Sequence, residues 1–257
     1  MKMQVRRLML QCLVVVLCLC LCLFSGCGPK RGLHLVYIID LSSSIEPEAR
    51  AEAFRVLQQV FERQQLERGD TISVVPVTGD ALADGQGRVL RFVISERRAA
   101  YDADLRRIAR EAVSRLQEMQ SASEAQPFTK SDILGALNVA VEEFAGVEDG
   151  ERRAIVILSD LAQDDARFNF STSPLLANER SARELAASLT QGREQMLRET
   201  AVYFGLLRST DMRRMTAARR EAVQAFWLEY CRRANASSVS IATDGPAQLT
   251  QALIARN

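Results

Sequence analysis

One carboxylate and two hydroxyls stand at alternate positions in Asp40-Leu41-Ser42-Ser43-Ser44, directly after the apolar run Leu35 to Ile39. A loop with that spacing, leaving a buried strand, can aim three oxygen atoms at one point. Oxygen ligands suit hard cations. Mg2+ in particular keeps open or water-filled positions that a partner's group can occupy.

Such a loop needs a rigid strand behind it, and the chain supplies several. Strands are predicted at 33–39, 71–77, 88–95, 153–158, 201–207 and 238–243. The runs LVYII (35–39), AIVIL (154–158) and VYFGLL (202–207) are continuously apolar rather than alternating. Continuous runs of that length point to strands covered on both faces, as in a parallel sheet between helix layers. The run 88–95 is less apolar and follows Asp84-Gly85-Gln86-Gly87, so it is expected as an antiparallel edge strand entered by a hairpin-like turn. Helices are predicted at 47–66, 101–120, 132–145 and near 211–234, with a short terminal helix at 246–255. Pro47 suits a first helical turn. The expected fold class is α/β: a doubly wound, mostly parallel sheet with helices on both faces and one antiparallel edge strand.

The Asp-x-Ser-x-Ser segment resembles the metal-ion-dependent adhesion site of von Willebrand factor A domains. Two further segments follow in the order of that family. Ser131-Asp132-Ile133-Leu134-Gly135-Ala136-Leu137 is similar to its Thr-x-Ile-x-x-Ala-Leu pattern, with Ser131 in the threonine's place and Thr129 as the competing hydroxyl. The strand ending at Ser159 delivers Asp160, the second carboxylate, followed by Leu161 where the family often has Gly. The resemblance covers roughly residues 33–255. It implies a Mg2+ site, with Mn2+ or Ca2+ as alternatives, built from Asp40, Ser42, Ser44, Ser131 and Asp160. It places that site where the first and fourth long strands lie side by side, the switch point of a doubly wound sheet. Ser131 also suits a helix N-cap, and the two roles are compatible. A cation held by two carboxylates and three hydroxyls keeps an incomplete coordination shell, which a carboxylate from a partner completes. The lack of His and Cys among these residues argues against zinc or copper.

The N-terminus reads as targeting rather than fold. Lys2, Arg6 and Arg7 precede an almost wholly apolar stretch, 8–24, and then Ser25-Gly26-Cys27. This is a secretory signal pattern. Its ending, Leu23-Phe24-Ser25-Gly26-Cys27, resembles a bacterial lipobox with Cys27 as the lipidated residue. An uncleaved anchor is the alternative, since 8–24 approaches spanning length. The expected organisation is a signal peptide at 1–26, the lipidated cysteine and a short tether at 27–32, and one domain at 33–257. The six steps from Cys27 to Leu33 extend roughly 20 Å, which would hold the domain, and hence its partner, close to a membrane. The expected location is outside the cytoplasm, on the outer membrane or periplasmic face if the cell has two membranes.

Of six cysteines, four lie at 12–22 and one is Cys27, so only Cys231 remains and no disulfide is expected within the domain. The signal removes three of 33 basic residues and none of 32 acidic ones. A balance so near neutral gives no support for nucleic-acid binding, which needs a strong basic field. His34, the single histidine, would have to serve any Ser-His-Asp or Cys-His mechanism; it is expected to pack at the edge of the first strand.

Two other features bear on partners. Residues 161–180 are polar, with Phe168 and Phe170 as aromatics. They form either a partner-recognition loop or a segment pinned by those rings. The arginines of 211–234 form either a lipid-facing patch or a solvated helix face. The sequence reading is therefore a membrane-anchored, non-enzymatic lipoprotein that binds a protein partner through Mg2+. The alternatives are a metal-independent scaffold and a metal-dependent hydrolase.

Overall fold

The computed structural model describes residues 32–62, 69–81, 89–94, 101–126, 128–148 and 151–242. The signal segment, Cys27, the Asp84–Gly87 turn, residues 63–66 and the helix expected at 246–255 lie outside them. Among the described residues no helix is long and apolar enough to cross a membrane.

Six strands form one sheet: β1 (Leu33–Asp40), β2 (Thr71–Val77), β3 (Leu90–Val93), β4 (Arg152–Ser159), β5 (Thr200–Leu206) and β6 (Ser238–Ala242). Their order is β3-β2-β1-β4-β5-β6. All neighbours are parallel except β2 and β3, which pair antiparallel through Thr71↔Val93 to Val74↔Leu90. Pro76 sits in β2 beyond the last β3 pair, opposite Ile39 of β1. Its missing N–H therefore costs no ladder bond on the β3 side.

The helices are α1 (Pro47–Glu62), α2 (Tyr101–Ala125), α3 (Ile133–Glu142), α4 (Glu179–Leu189), α5 (Thr210–Arg214) and α6 (Ala217–Arg233), with a 3-10 turn at Pro174–Leu176. Alternate residues of each central strand enter opposite cores, as the two-residue period of a strand requires. Leu35, Tyr37 and Ile39 pack with Phe54 and Leu57 of α1 and Ile108 and Leu116 of α2. Val36 and Ile38 pack with Leu137 of α3, Leu185 of α4 and Trp227 of α6. This is the doubly wound architecture expected from the continuous apolar runs.

Two predicted helices differ from expectation, and one observed helix was not predicted. The helix expected over 211–234 is two: Met215 leaves helical geometry with ψ 145°, and Thr216 caps α6 by accepting from the Arg219 amide. The helix expected at 132–145 starts at Ile133, because the Asp132 side chain caps it. Helix α4 lies where no helix was predicted. Its signals are Asn178 as N-cap and an apolar face at Ala182, Leu185 and Ala186.

Candidate metal centre

The chain passes from β1 outward to β2 and β3, then returns to place β4 on the other side of β1. The topological switch point therefore lies between the carboxyl ends of β1 and β4, where α/β sheets hold ligands. Asp40 is the last residue of β1, and Asp160 follows the last residue of β4. Ile39 pairs with Leu158, so the two carboxylates leave adjacent strands at one edge.

The first loop is tightly tied. Asp40 is fully buried. Its Oδ1 accepts from the Ser42 amide at 2.9 Å, and its Oδ2 accepts from the Ser159 hydroxyl at 2.7 Å. The Ser42 and Ser44 hydroxyls lie 3.0 Å apart, so the two oxygens do converge. Arg50 of α1, itself buried, reaches under the loop: its Nη2 donates to the Ser42 and Ile45 carbonyls at 3.0 and 3.3 Å. The Ser43 amide donates to the Phe128 carbonyl at 2.7 Å, which brings the 128–131 segment alongside.

Ser131 is buried and exchanges both backbone hydrogen bonds with Asp164, each at 2.9 Å. It therefore joins the loop after β4 to the start of α3. Asp132, not Ser131, caps α3: its Oδ1 accepts from the Gly135 amide at 2.9 Å and from Gln163 Nε2 at 3.0 Å, and its Oδ2 from the Ala81 amide at 3.2 Å. A Cβ on Gly135 would stand 2.0 Å from Asp132 Oδ2, so only glycine fits beneath that cap. The capping role anticipated for Ser131 is thus taken by its neighbour, and the Ser131 hydroxyl is spared it. Thr129, the competing candidate, is exposed.

The second loop is where charge is unrelieved. Asp160 Oδ1 accepts from the Ala162 amide at 2.8 Å, while Oδ2 is buried with no hydrogen-bond partner. Burial first, and the charge of Asp40 second, push the Asp160 pKa up to about 7. The Ser209 hydroxyl favours the carboxylate but closes no bond on Oδ2. Burial likewise raises Asp40, against the pull of the Ser42 and Ser159 bonds and the Arg50 charge. Two buried carboxylates, one raising the other's pKa and one with an orphaned oxygen, are a donor set that would suit a hard divalent cation. Among the described residues no group of three or more His, Cys, Asp or Glu side chains is placed to hold a metal. Any cation here would take hydroxyl oxygens beside the two aspartates.

Leu161 adopts the left-handed conformation, φ 67°. This is why glycine suits the position, and for leucine it costs on the order of 1–2 kcal/mol. The Leu161 side chain is fully buried, and its carbonyl accepts from the Trp227 indole at 2.9 Å. Sequence reading missed Ser159, Ser209, Arg50 and Trp227, because none lies in a motif; each reaches the site from another element.

The two aromatics of the following segment separate. Phe170 is fully buried and stacks edge-on against Phe226 at 4.7 Å, so it pins the loop and offers nothing to a partner. Phe168 is half-buried, with the Arg167 guanidinium 5.6 Å from its ring centroid. Of the two readings of this segment, the pinned one holds at Phe170. The arginine patch is also engaged. Arg219 donates to the Phe170 and Ser173 carbonyls, Arg220 to Met215, Arg213 pairs with Glu46, and Arg232 and Arg233 pair with Glu229. His34 pairs with Glu151 at 3.0 Å, away from the aspartates and at the opposite end of β1. Cys231 is buried and its thiol is pushed up to about 12, which keeps it protonated and inert.

The class these features define is a doubly wound α/β domain with an oxygen-lined site at its switch point. No family model and no curated protein matches the chain. Among solved structures it is similar to manganese-loaded TRAP protein from Plasmodium vivax, at 15% identity and TM-score 0.43, over 87% of this chain and 72% of that one. It is similar to a von Willebrand factor type A protein from Catenulispora acidiphila, at 17% identity and TM-score 0.47, over 88% of this chain and 42% of that one. It is also similar to the pilus adhesin SpaC from Lactobacillus rhamnosus GG, at 11% identity and TM-score 0.49, over 89% of this chain and 30% of that one. The chain spans less than half the length of the last two. The chemistry of the site rests on its own residues.

Proposed function

We propose that this chain is a von Willebrand factor A-type binding domain, anchored to a membrane through a lipid on Cys27. It captures a protein partner through a divalent cation, Mg2+ by preference, with Mn2+ or Ca2+ as alternatives. Asp40 and Asp160 supply the charge, and Ser42, Ser44 and Ser131 the neutral oxygens. The observation that carries this reading is Asp160 Oδ2, buried and without a hydrogen bond beside a second buried carboxylate. Such an atom costs folding free energy unless something positive completes it. Two negative charges and hydroxyls leave the cation partly unsatisfied, so a carboxylate on a partner completes its shell. The short tether puts that partner at or near the same membrane, outside the cytoplasm.

Calorimetric titration of the full chain with Mg2+ and with Mn2+, beside Asp40→Ala, tests the site. Wild type is expected to bind and the variant to lose binding at least 100-fold. Equal behaviour of the two chains would remove the cation from the reading. Partner capture in cells that survives chelator would then point to a scaffold, and phosphate-ester turnover abolished in Asp40→Ala would point to a hydrolase. Fatty-acid labelling that persists in Cys27→Ser would overturn the lipid anchor.

A further inference from the structure

Three described non-glycine residues adopt positive φ: Leu161, Glu199 and Asn235. Glu199 and Asn235 are exposed, whereas Leu161 is fully buried. A polar residue in an exposed turn tolerates that geometry, but a buried leucine holds it only when its surroundings enforce it. The Trp227 indole N–H donates to the Leu161 carbonyl at 2.9 Å across 66 residues of chain. The carbonyl's other donor, the Gln163 amide at 3.1 Å, is two residues away and turns with it. Among the described hydrogen bonds of that peptide, the indole's is the one that comes from outside the loop.

The two peptide units that flank Leu161 reach one carboxylate each, and the left-handed φ of Leu161 sets their relative orientation. The Leu161 amide donates to the Ser159 hydroxyl at 3.0 Å, and that hydroxyl donates to Asp40 Oδ2 at 2.7 Å. On its other side, the Ala162 amide donates to Asp160 Oδ1 at 2.8 Å. Rotation of the Leu161–Ala162 peptide would thus slacken the Ala162 bond to Asp160, and a change in the Leu161 φ that accompanies it would draw the Leu161 amide off Ser159, the residue that holds Asp40. Trp227 is fully buried in a cluster with Phe170, Phe204, Phe226 and Tyr230, so the donor itself has no freedom to follow.

We infer that Trp227 is a positioning residue for the switch-point site: its indole, acting through the left-handed Leu161, sets the distance and aim of Asp40 and Asp160 together. This rests on the reading that the two aspartates share a divalent cation. Residues that orient metal ligands from behind change metal affinity 10- to 100-fold when altered. Trp227 acts one residue further back, so about tenfold is expected. Coupling is reciprocal: if the indole orders the site, a cation in the site orders the indole.

The chain has one tryptophan, so its indole N–H gives a single resonance in a nitrogen-correlated spectrum. Mg2+ added to the full chain in detergent is expected to shift that resonance along the calorimetric binding curve, and to leave it unmoved in Asp40→Ala. Trp227→Phe is expected to weaken Mg2+ binding about tenfold. Phe226→Leu, a cut in the same cluster that removes no hydrogen bond to the site, is expected to lower Tm and change affinity less than twofold. An unmoved resonance at saturating Mg2+ would overturn the inference. So would a folded Trp227→Phe with wild-type affinity, or a Phe226→Leu weakened as much as Trp227→Phe. Wild type that binds no Mg2+ would overturn the cation reading and this inference with it. Wild-type binding, lost in Asp40→Ala but untouched in Trp227→Phe, would overturn the inference alone.

Discussion

Two loops leave adjacent strands at the same edge, each opening on a buried aspartate, and they are held in different ways. The loop after β1 is held from beneath by charge and from within by hydroxyls: Arg50 grips the Ser42 and Ile45 carbonyls, and both Asp40 oxygens carry a hydrogen bond. The loop after β4 is held by packing. Leu161 and Phe170 are sunk in the core under Trp227 and Phe226, and Asp160 keeps one oxygen unpaired. The difference teaches where the site keeps its unmet demand. The first loop's carboxylate is satisfied by its own Ser42 amide and by Ser159 of β4, and the second loop presents one that keeps an unpaired oxygen.

The comparison breaks hardest at Phe170. Phe170→Ala should destabilise the chain by about 3–5 kcal/mol, the usual cost of deleting a buried ring. Chemical denaturation will read this, and a loss under about 1 kcal/mol would mean that the second loop is not held by packing.

Asp160 gives the next effect, through pH. Its folded pKa of about 7 stands above its ordinary value of 3.8, so between those pH values the folded chain binds more protons than the unfolded one. The metal-free chain should therefore lose stability as pH rises from about 4 to 7 and level off above, by a few kcal/mol at about 1.4 kcal/mol per unit. Asp40, raised in the same direction, adds to the slope. Asp160→Asn should flatten that slope and stabilise the metal-free chain at pH 8 by on the order of 2 kcal/mol. Thermal melts across the pH range check both, and a stability that climbs with pH would contradict them.

Arg50→Met tests the other loop. Its guanidinium hydrogen bonds are buried, so the loss should be about 2 kcal/mol, with Phe170 packing intact by near-ultraviolet dichroism. If aromatic signals change as much as in Phe170→Ala, the two loops are not separately held. The smallest effect is expected at Phe168→Ala, below about 1 kcal/mol because the ring is half-exposed. A larger loss would make Phe168 a second pin, and a folded variant with weakened partner capture would restore it as a contact residue.

The fold was largely legible because its signals are local. Continuous apolar runs flanked by helical periods specify β1, β4 and β5 whatever surrounds them. Helix α4 was missed beside the polar segment 161–180, although Asn178 and the spacing of Ala182, Leu185 and Ala186 mark it. The single helix read over 211–234 broke at Met215-Thr216, because a capping threonine looks like any other residue inside a helical period. At the site, the oxygen donors of the Asp-x-Ser-x-Ser segment were legible, since their spacing along one loop makes them neighbours. The capping of α3 by Asp132 rather than Ser131 was not: it depends on Gln163 and Ala81, which arrive from two other elements.

Sequence alone determined which residues carry oxygen at the ends of which strands, because strand period and loop spacing act over a few residues. Tertiary structure decided their state. Only the sheet order brings Asp160 beside Asp40, and only burial raises both. Only Trp227, 66 residues from Leu161, supplies the indole bond that braces a leucine where glycine is expected. These are desolvation, charge coupling and a long-range hydrogen bond, which depend on distances through space and not along the chain.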